Sequence, residues 1–408
     1  MNRNIVGLDL GTSKASVVVA ELSDLGEVSI VGVGESPSDG LKKGYVVDIE
    51  KAVRSIKSAV LSAERMSGLR VEQLYVTLGG AHIASQNCRG TVAITGPSRQ
   101  VDQNDVERAI EASKSIALAS DRVILHVIPR EYTVDGQAGV KKAIGMIGRR
   151  LEVDSHIITA SATAAQNVIS CVEKAGYAVG DVYAQGLASA EGVLANREKE
   201  MGVVLVDIGA GTTDVVVYQS GAPLQTAVIP VGGDHITNDI SYGLQLGATD
   251  AEALKLNYGH AVPNLIPDTE LIELKREPSG RVIKIRKRTL AKVIGPRMQE
   301  ILELAFDQAR KSGFEGVLAA GVVLTGGSAR LGGAQELAES IFNLPTRIGQ
   351  PLGVGGFADR VCGPSHAASV GLVKLAVQEM VAEEDEANEQ VPIMKAVSRL
   401  VEWVRRFV

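Results

Sequence analysis

Three segments of this sequence predict an α/β fold built from two related halves. The first is Ile5-Val-Gly-Leu-Asp9-Leu-Gly11-Thr12-Ser13-Lys14, running on into Val17-Val18-Val19. The second is Val203-Val-Leu-Val-Asp207-Ile-Gly209-Ala-Gly211-Thr212-Thr213-Asp214, running on into Val215-Val216-Val217. Asp9 aligns with Asp207, Gly11 with Gly209 and Val17 with Val215 at one constant offset. Each copy reads as an apolar strand, an Asp-aliphatic-Gly turn and a second β-branched strand, which is a hairpin with a glycine-rich tip. Its recurrence implies two similar units in one chain. The third segment is the strand Val322-Val-Leu-Thr325, which runs into Gly326-Gly327-Ser328-Ala329. A strand that ends in two glycines and opens a helix brings bare backbone and a helix N-terminus to a ligand.

The bulk of the chain allows such a fold and excludes others. At 408 residues it has room for two to four domains of ordinary size. Hydrophobic residues make up 45% and charged residues 22%, so real cores can form. Aromatics are only 3%, which leaves Val, Ile, Leu and Ala to fill those cores. The net charge of −6 gives no global attraction for nucleic acid. Cys88, Cys171 and Cys362 are far apart and lack metal-ligand spacing, so they read as buried small hydrophobes in a reducing compartment. The six histidines are scattered as well, and no metal site is expected beyond a nucleotide-bound ion. No secretory signal opens the sequence and no apolar run is long enough to span a membrane, so a cytoplasmic location is expected.

The hairpin tips have a physical use. Glycine lets backbone approach a ligand closely, and the turn aims N–H groups inward. Thr12, Ser13, Thr212 and Thr213 add hydroxyl donors, and Lys14 adds a point charge. Two such loops facing each other would clamp one polyphosphate, with Asp9 and Asp207 orienting Mg²⁺ through water. Glu252 and Lys255, three apart on a helix, share one face and suit the hydroxyls of a ribose.

Along the chain, a helix is expected over Ile49–Ser67, with apolar positions at helical spacing and Gly68 to end it. A further helix is expected from Asp102, as its cap, to Ala119. Strands are expected at Arg122–Ile128 and Arg130–Val134, and a long helix over Ser155–Gly176. Lys284-Ile-Arg286-Lys287-Arg288 is a basic cluster in an acidic protein, and dense acid over Glu379–Gln390 reads as a flexible linker. After Pro392 the apolar residues Ile393, Val397, Leu400, Val401, Val404 and Phe407 recur at three- and four-residue steps, with Arg405 and Arg406 between them and Trp403 at the edge. This is the pattern of an amphipathic helix that lies on an anionic membrane.

The two hairpins and the Gly326–Gly327 segment resemble the actin, Hsp70 and sugar-kinase superfamily. Asp9–Lys14 resembles its first phosphate loop, Asp207–Thr213 its second, and Thr325–Arg330 its adenosine motif. Gln185-Gly-Leu-Ala-Ser-Ala-Glu191 and His366-Ala-Ala-Ser-Val-Gly371-Leu resemble the two helices that connect the halves. Within the superfamily the chain is similar to the bacterial FtsA cell-division family. That likeness is carried by Leu187-Ala-Ser-Ala, Val231-Gly-Gly-Asp-His-Ile-Thr-Asn-Asp-Ile, Ala251-Glu-Ala-Leu-Lys255, Thr289-Leu-Ala-Lys-Val-Ile-Gly-Pro-Arg297 and the terminal helix.

The resemblance implies an actin-like ATPase fold with two duplicated ribonuclease-H-like halves, a small inserted subdomain and a C-terminal amphipathic helix. It divides the chain into a first core (1–83 and 161–195), an insert (84–160), a second core (196–227 and 311–378), a small subdomain (228–310), an acidic linker (379–391) and the membrane helix (392–408). It implies ATP and Mg²⁺, with Gly232 and Gly233 near the sugar and Gly326, Gly327 and Ser328 at the adenine end. Gln185 or Glu191 would position a hydrolytic water, with slow turnover at most. It further implies a peripheral protein on the cytoplasmic face of the inner membrane at the division site. There it polymerises with itself, binds the acidic tail of FtsZ near Arg286, Lys287, Arg288 and Arg297, and recruits later division proteins. A sugar kinase, a chaperone ATPase and a pilus-assembly relative are the competing members of the superfamily. A kinase needs an acceptor pocket with a catalytic Asp, a chaperone needs a peptide-binding domain, and a pilus relative usually lacks the terminal anchor.

Overall fold

The computed structural model describes residues 3–389 apart from 97, 116–117, 276–281 and 314–317. The chain opens with a meander of β1 (Arg3–Leu10), β2 (Lys14–Leu22) and β3 (Val28–Pro37). Both faces of β1 and β2 are covered, which is why their sequences are continuous apolar runs. A short hairpin, β4 (Leu41–Lys42) and β5 (Tyr45–Val46), leads into α1 (Ile49–Ser67). The helix has the expected limits: the Asp48 side chain accepts from Lys51 N, and Gly68 closes the end at φ 70°. Its apolar stripe, including Ala52, Ile56, Ala59 and Val60, is fully buried. β6 (Gln73–Leu78) then lies parallel to β1.

A separate sheet interrupts this half. It holds β7 (Ala84–Ala93), α2 (Gln103–Ser113), β8 (Arg122–Val134), β9 (Gln137–Val140) and β10 (Arg150–Ser161), in strand order β7-β10-β8-β9, over its own small core of Val106, Leu151, Val153 and neighbours. Three expectations change here. The two strands expected around Pro129 are one strand with a bulge: Pro129 pairs with Ser155, Glu131 with Asp154, and Arg130 is the extra residue. The helix expected over Ser155–Gly176 begins only at Ala162, as α3 (Ala162–Ala175), capped by Ser161. The β-branched stretch His156-Ile-Ile-Thr159 is a strand paired on both edges instead. Finally, α2 ends at Ser113, not Ala119, where the Ser113 hydroxyl donates back to Ile110 O at 2.6 Å.

β11 (Ala178–Ala184) completes the first half, and α4 (Gln185–Val193) and α5 (Asn196–Met201) lead to the second. There β12 (Val203–Ile208), β13 (Thr213–Gln219) and β14 (Ala222–Ile229) repeat the opening meander. α6 (Gly233–Leu244), α7 (Ala248–Tyr258), the hairpin β15 (Leu271–Lys275) and β16 (Val282–Arg286), and α8 (Lys287–Arg310) follow. β17 (Val322–Thr325), α9 (Ala334–Phe342), β18 (Thr346–Ile348), β19 (Gly355–Gly356) and α10 (Ala367–Glu389) close the described chain. The two large sheets run β11-β6-β1-β2-β3-β19 and β14-β13-β12-β17-β18. In each, the first strand of the meander also takes a parallel neighbour, β6 beside β1 and β17 beside β12. The duplication read from the sequence is therefore a duplication of sheets.

The halves meet where α4 crosses α10. A methyl group built on Gly371 would lie 1.7 Å from Ala188 O, and one built on Gly192 would lie 2.1 Å from Ala367 O. Backbone packs on backbone here, so only glycine fits. The insert touches the second half as well. Ser85 Oγ donates to Thr226 O at 2.8 Å, Asn87 Nδ2 donates to Leu224 O at 2.9 Å, and His156 lies between Asn87 Oδ1 (2.7 Å) and Thr226 Oγ1 (3.0 Å).

Two further expectations are corrected. Residues 379–389, expected as flexible linker, continue α10. Glu and Ala are strong helix formers, no Gly or Pro intervenes, and the preceding turns are already nucleated by packing. Of the cysteines, Cys171 is buried as expected, Cys88 is half-buried and Cys362 is exposed. No helix among the described residues is long and apolar enough to cross a membrane.

Replacing Gly371 by Ala should cost about 3 kcal/mol, because neither helix can retreat without opening both cores. Denaturant unfolding of Gly371→Ala should show that loss. Gly96→Ala, where the new methyl meets nothing within 4 Å, should change stability by less than about 0.5 kcal/mol.

Candidate phosphate-binding site between the halves

Both hairpin tips are closed by the same backbone hydrogen bond. Gly11 N donates to Lys14 O at 3.0 Å, and Gly209 N donates to Thr212 O at 2.9 Å. The tips face each other: a methyl group on Gly211 would lie 2.7 Å from Thr12 Oγ1. Thus Gly11, Thr12, Ser13 and Lys14 from one half meet Gly209, Gly211 and Thr212 from the other around one gap, while Thr213 lies buried behind them and donates its hydroxyl to Val231 O at 2.8 Å.

Below the tips lie buried carboxylates. Asp9 pairs with Ser16 across the first hairpin, and Asp207 with Asp214 across the second, at matching positions of the repeat. Thr77 Oγ1 donates to Asp9 Oδ1 at 2.8 Å and Ser189 Oγ donates to Asp207. Burial raises Asp9, against the Thr77 hydrogen bond and the Lys14 charge. Burial also pushes Asp207 up to about 6, partly offset by the Ser189 hydrogen bond. Asp214 is raised well above the usual carboxylate range by burial and then by the charges of Asp207 and Asp9. Asp214 Oδ2 is buried and has no hydrogen-bond partner. Such an acid-rich, underpaired floor fits a hard divalent cation such as Mg²⁺. Among the described residues no group of three His, Cys, Asp or Glu forms a metal site by itself. An ion here would be shared with phosphate and reached through water.

The second half supplies a shelf beside the gap. Gly233 N donates to Gly209 O at 2.9 Å, and Ser328 Oγ donates to the same oxygen at 3.2 Å. A methyl on Gly232 would strike Gly209 O and Ala210 O, both at 2.7 Å. Lys255 Nζ reaches Gly233 O at 3.1 Å, Thr237 Oγ1 at 2.8 Å and Glu252 Oε2 at 2.7 Å, which places the expected Glu252 and Lys255 pair on this shelf. Gly326 sits at φ 84° with its α-carbon against Asp207. One expectation is adjusted: Gly326 and Gly327 open a single 3₁₀ turn through Arg330, and the helix proper, α9, starts only at Ala334. Bare backbone is offered here without a long helix dipole. Behind that turn an open cleft of about 710 Å³ is lined by Arg330, Gln350, Arg360, Cys362 and His366 among others.

Lys14 is engaged as well: its ammonium pairs with Glu35, and His366 Nε2 lies 3.4 Å from the same carboxylate. His366 is pushed down to about 4, first by burial and then by the Lys14 charge. It is therefore neutral near pH 7, and its proximity to Glu35 is not an ion pair. Gln185 opens α4, and its side-chain oxygen would lie 2.3 Å from a methyl on Gly79, at the end of β6. Glu191 is not part of the site. Its carboxylate is held by Lys199 at 2.5 Å, by Gln378 at 3.0 Å and by Lys374 at 3.6 Å, and this removes it as a water-positioning residue.

Thr77, Ser189 and Asp214 complete the site without having been chosen from the sequence. Ser189 and Asp214 lie inside motifs that were legible. Thr77 has no local signal, because it meets Asp9 across the sheet from a distant strand. The basic cluster is less free than its sequence suggests. Lys287 pairs with Glu270 (2.7 Å), Arg288 with Asp268 (2.6 Å) and Arg297 with Asp239 in a fork of 2.6 and 3.1 Å. Arg286 is exposed, with no ion pair among the described residues. Ile393, Val397, Leu400, Val401, Trp403, Val404, Arg405, Arg406 and Phe407 lie outside the described residues.

Comparison with known proteins agrees with this geometry. Residues 204–371 match the family model of the cell division protein FtsA, and residues 80–159 match the SHS2 domain inserted in FtsA. The chain is 40% identical to the cell division protein FtsA of Pseudomonas aeruginosa, over 98% of this chain and 97% of that protein. Among solved structures it is similar to a PilM-PilN type IV pilus biogenesis complex (TM-score 0.65, 18% identity, covering 91% of this chain and 98% of that one). It is also similar to MreB5 of Spiroplasma citri bound to AMPPNP (TM-score 0.55, 16% identity, 95% and 99% covered). The two structures share the actin-like fold. The chain belongs to the FtsA family of cell-division proteins.

The buried Asp207 has a pH consequence. Its folded pKa lies above its unfolded value, so the stability it contributes is complete below about pH 4 and is lost as pH rises through about 6. A shift of that size corresponds to about 3 kcal/mol. Without ligand, thermal midpoints should therefore fall between pH 5 and pH 7, and Asp207→Asn should flatten that fall. Added Mg²⁺ with a nucleoside triphosphate should restore the wild type at pH 7 far more than the variant.

Proposed function

We propose that this chain binds ATP with Mg²⁺ between its two hairpin tips and polymerises on the cytoplasmic face of the inner membrane at the division site. There it tethers FtsZ filaments and recruits later division proteins. The observation that carries the nucleotide reading is the pair of identically closed tips, facing each other over three buried carboxylates. The AMPPNP carried by the MreB5 relative supports it. Membership of a cell-division family favours this role over a sugar kinase or a pilus-assembly protein.

In this reading Thr12, Ser13, Lys14, Gly209, Gly211 and Thr212 hold phosphate oxygens, and Thr213, bonded to Val231 O, braces the second tip from behind. Asp9 and Asp207 orient water on the ion, and Asp214 adds charge beneath it. Bound Mg²⁺ supplies charge neutralisation for the phosphates. Gly232, Gly233, Glu252 and Lys255 take the ribose, and Gly326, Gly327 and Ser328 the adenine end. With Glu191 held elsewhere, Gln185 is the one remaining candidate for positioning water, and hydrolysis is slow at most.

The outer surfaces support the remaining roles. The insert exposes Ile144 and Ile147, at 51% and 76%, as apolar contacts for neighbours or later division proteins. Arg286, Lys287 and Arg288 suit an acidic tail peptide, which would exchange with Asp268 and Glu270 at modest cost, while Arg297, forked to Asp239, would add its charge at the edge of that surface. The residue pattern after Pro392 suits an anionic bilayer. Full-length chain should co-sediment with anionic liposomes, to an extent that ATP changes. The doubly substituted Val401→Glu, Val404→Glu chain should stay in the supernatant. Wild-type chain that fails to pellet would overturn the membrane role.

A further inference from the structure

We propose that Lys43, at the tip of the β4–β5 hairpin, contacts the terminal phosphate of the bound nucleotide and thereby makes the closure of the two halves sensitive to that phosphate. The inference rests on the nucleotide reading above and adds to it the means of telling a triphosphate from a diphosphate.

The hairpin turns on two left-handed residues, Lys43 at φ 51° and Gly44 at φ 80°. This is the geometry of a tight two-residue turn whose twist matches its strands. Glycine and asparagine take such positions readily and lysine seldom does, so a lysine held there by its surroundings points to a use. Those surroundings are the site itself. A methyl on Gly211, in the second half's tip, would lie 3.0 Å from Lys43 Cα and 3.1 Å from Lys43 N. The same methyl would meet Thr12 Oγ1 of the first tip. On its other side the turn rests on the glycine pair that ends β6: a methyl on Gly44 would lie 2.5 Å from Gly80 Cα, and Gly79 in turn packs on the Gln185 amide. Tyr45 sets its ring edge-on to His82 at 5.0 Å and 75°, which seats the hairpin on this pair. One short turn therefore touches the second phosphate-loop tip at Gly211, which itself faces Thr12 of the first, and the glycines beside the water-positioning candidate.

Charge points the same way. The floor carries Asp9, Asp207 and Asp214, while Lys14 is already paired with Glu35 and Lys255 with Glu252. Lys43 is half-buried and has no ion-pair partner among the described residues. A lysine ammonium is a compact point charge on a flexible stem, suited to a phosphate that is present in one state and absent in another. Its backbone lies against Gly211, so the pull of that phosphate on the side chain seats the first half on the second.

The test measures binding of mant-ATP and mant-ADP, with Mg²⁺, to intact chains carrying Lys43, Lys43→Met or Lys43→Arg. The expected result is a loss of about tenfold or more in mant-ATP affinity for Lys43→Met, with mant-ADP changed less than about twofold, and recovery of most mant-ATP affinity by Lys43→Arg. Equal weakening of both nucleotides, or no change in either, overturns the inference and leaves the nucleotide reading standing. If wild-type chain binds neither nucleotide, that reading falls and the inference with it. Unchanged thermal midpoints in the two variants exclude a folding defect as the cause.

Discussion

Backbone touches backbone where α4 meets α10, and the rest of the molecule depends on that crossing. Gly192 and Gly371 let the two connecting helices lie closer than any side chain allows. α4 leaves β11 of the first sheet and packs against β12 and β13 of the second, while α10 packs on β1, β2 and β6 of the first, so their crossing ties the two halves together. The hairpin tips sit above this pivot. A small change of angle below becomes a change in the distance between Thr12 and Gly211 above, and a ligand that bridges the tips controls the angle.

The site is built against its own stability. Three carboxylates are buried under the tips, and burial pushes each toward its protonated form. At neutral pH the unliganded floor keeps charge that water does not solvate and that Thr77 and Ser189 only partly offset. A cation arriving with phosphate would relieve this, so part of its binding free energy would come from charge already held unfavourably in the protein. Proteins place such locally unfavourable groups where function requires them.

What could be read beforehand followed from how local each signal is. The two hairpins, α1 with its Asp48 and Gly68 caps, and the shared face of Glu252 and Lys255 are fixed by residues a few positions apart. Their patterns survive in the sequence. The errors were tertiary. Ser155–Ser161 carries a β-branched run that pairs with strands distant in sequence, and periodicity alone read it as helix. The acids after Glu379 repel in isolation, but they inherit a nucleated helix. Glu191 has the right chemistry in the sequence, yet Lys199 and Lys374 claim it in the fold. Thr77 carried no signal because its partner comes from another strand.

The insert has a mechanical consequence. It belongs by connection to the first half, yet Ser85, Asn87 and His156 fasten it to the edge strand of the second. Burial holds His156 neutral down to about pH 3, so acidity within any physiological range leaves the fastening intact. The insert therefore spans the pivot like a strut, and the cleft cannot open without shearing it. Whatever leans on the outer face of that strut also leans on the gap between the tips, and linkage would require a ligand held there to act back on the strut. A pull on the insert would then reach the cleft as a change in how far its two tips can part.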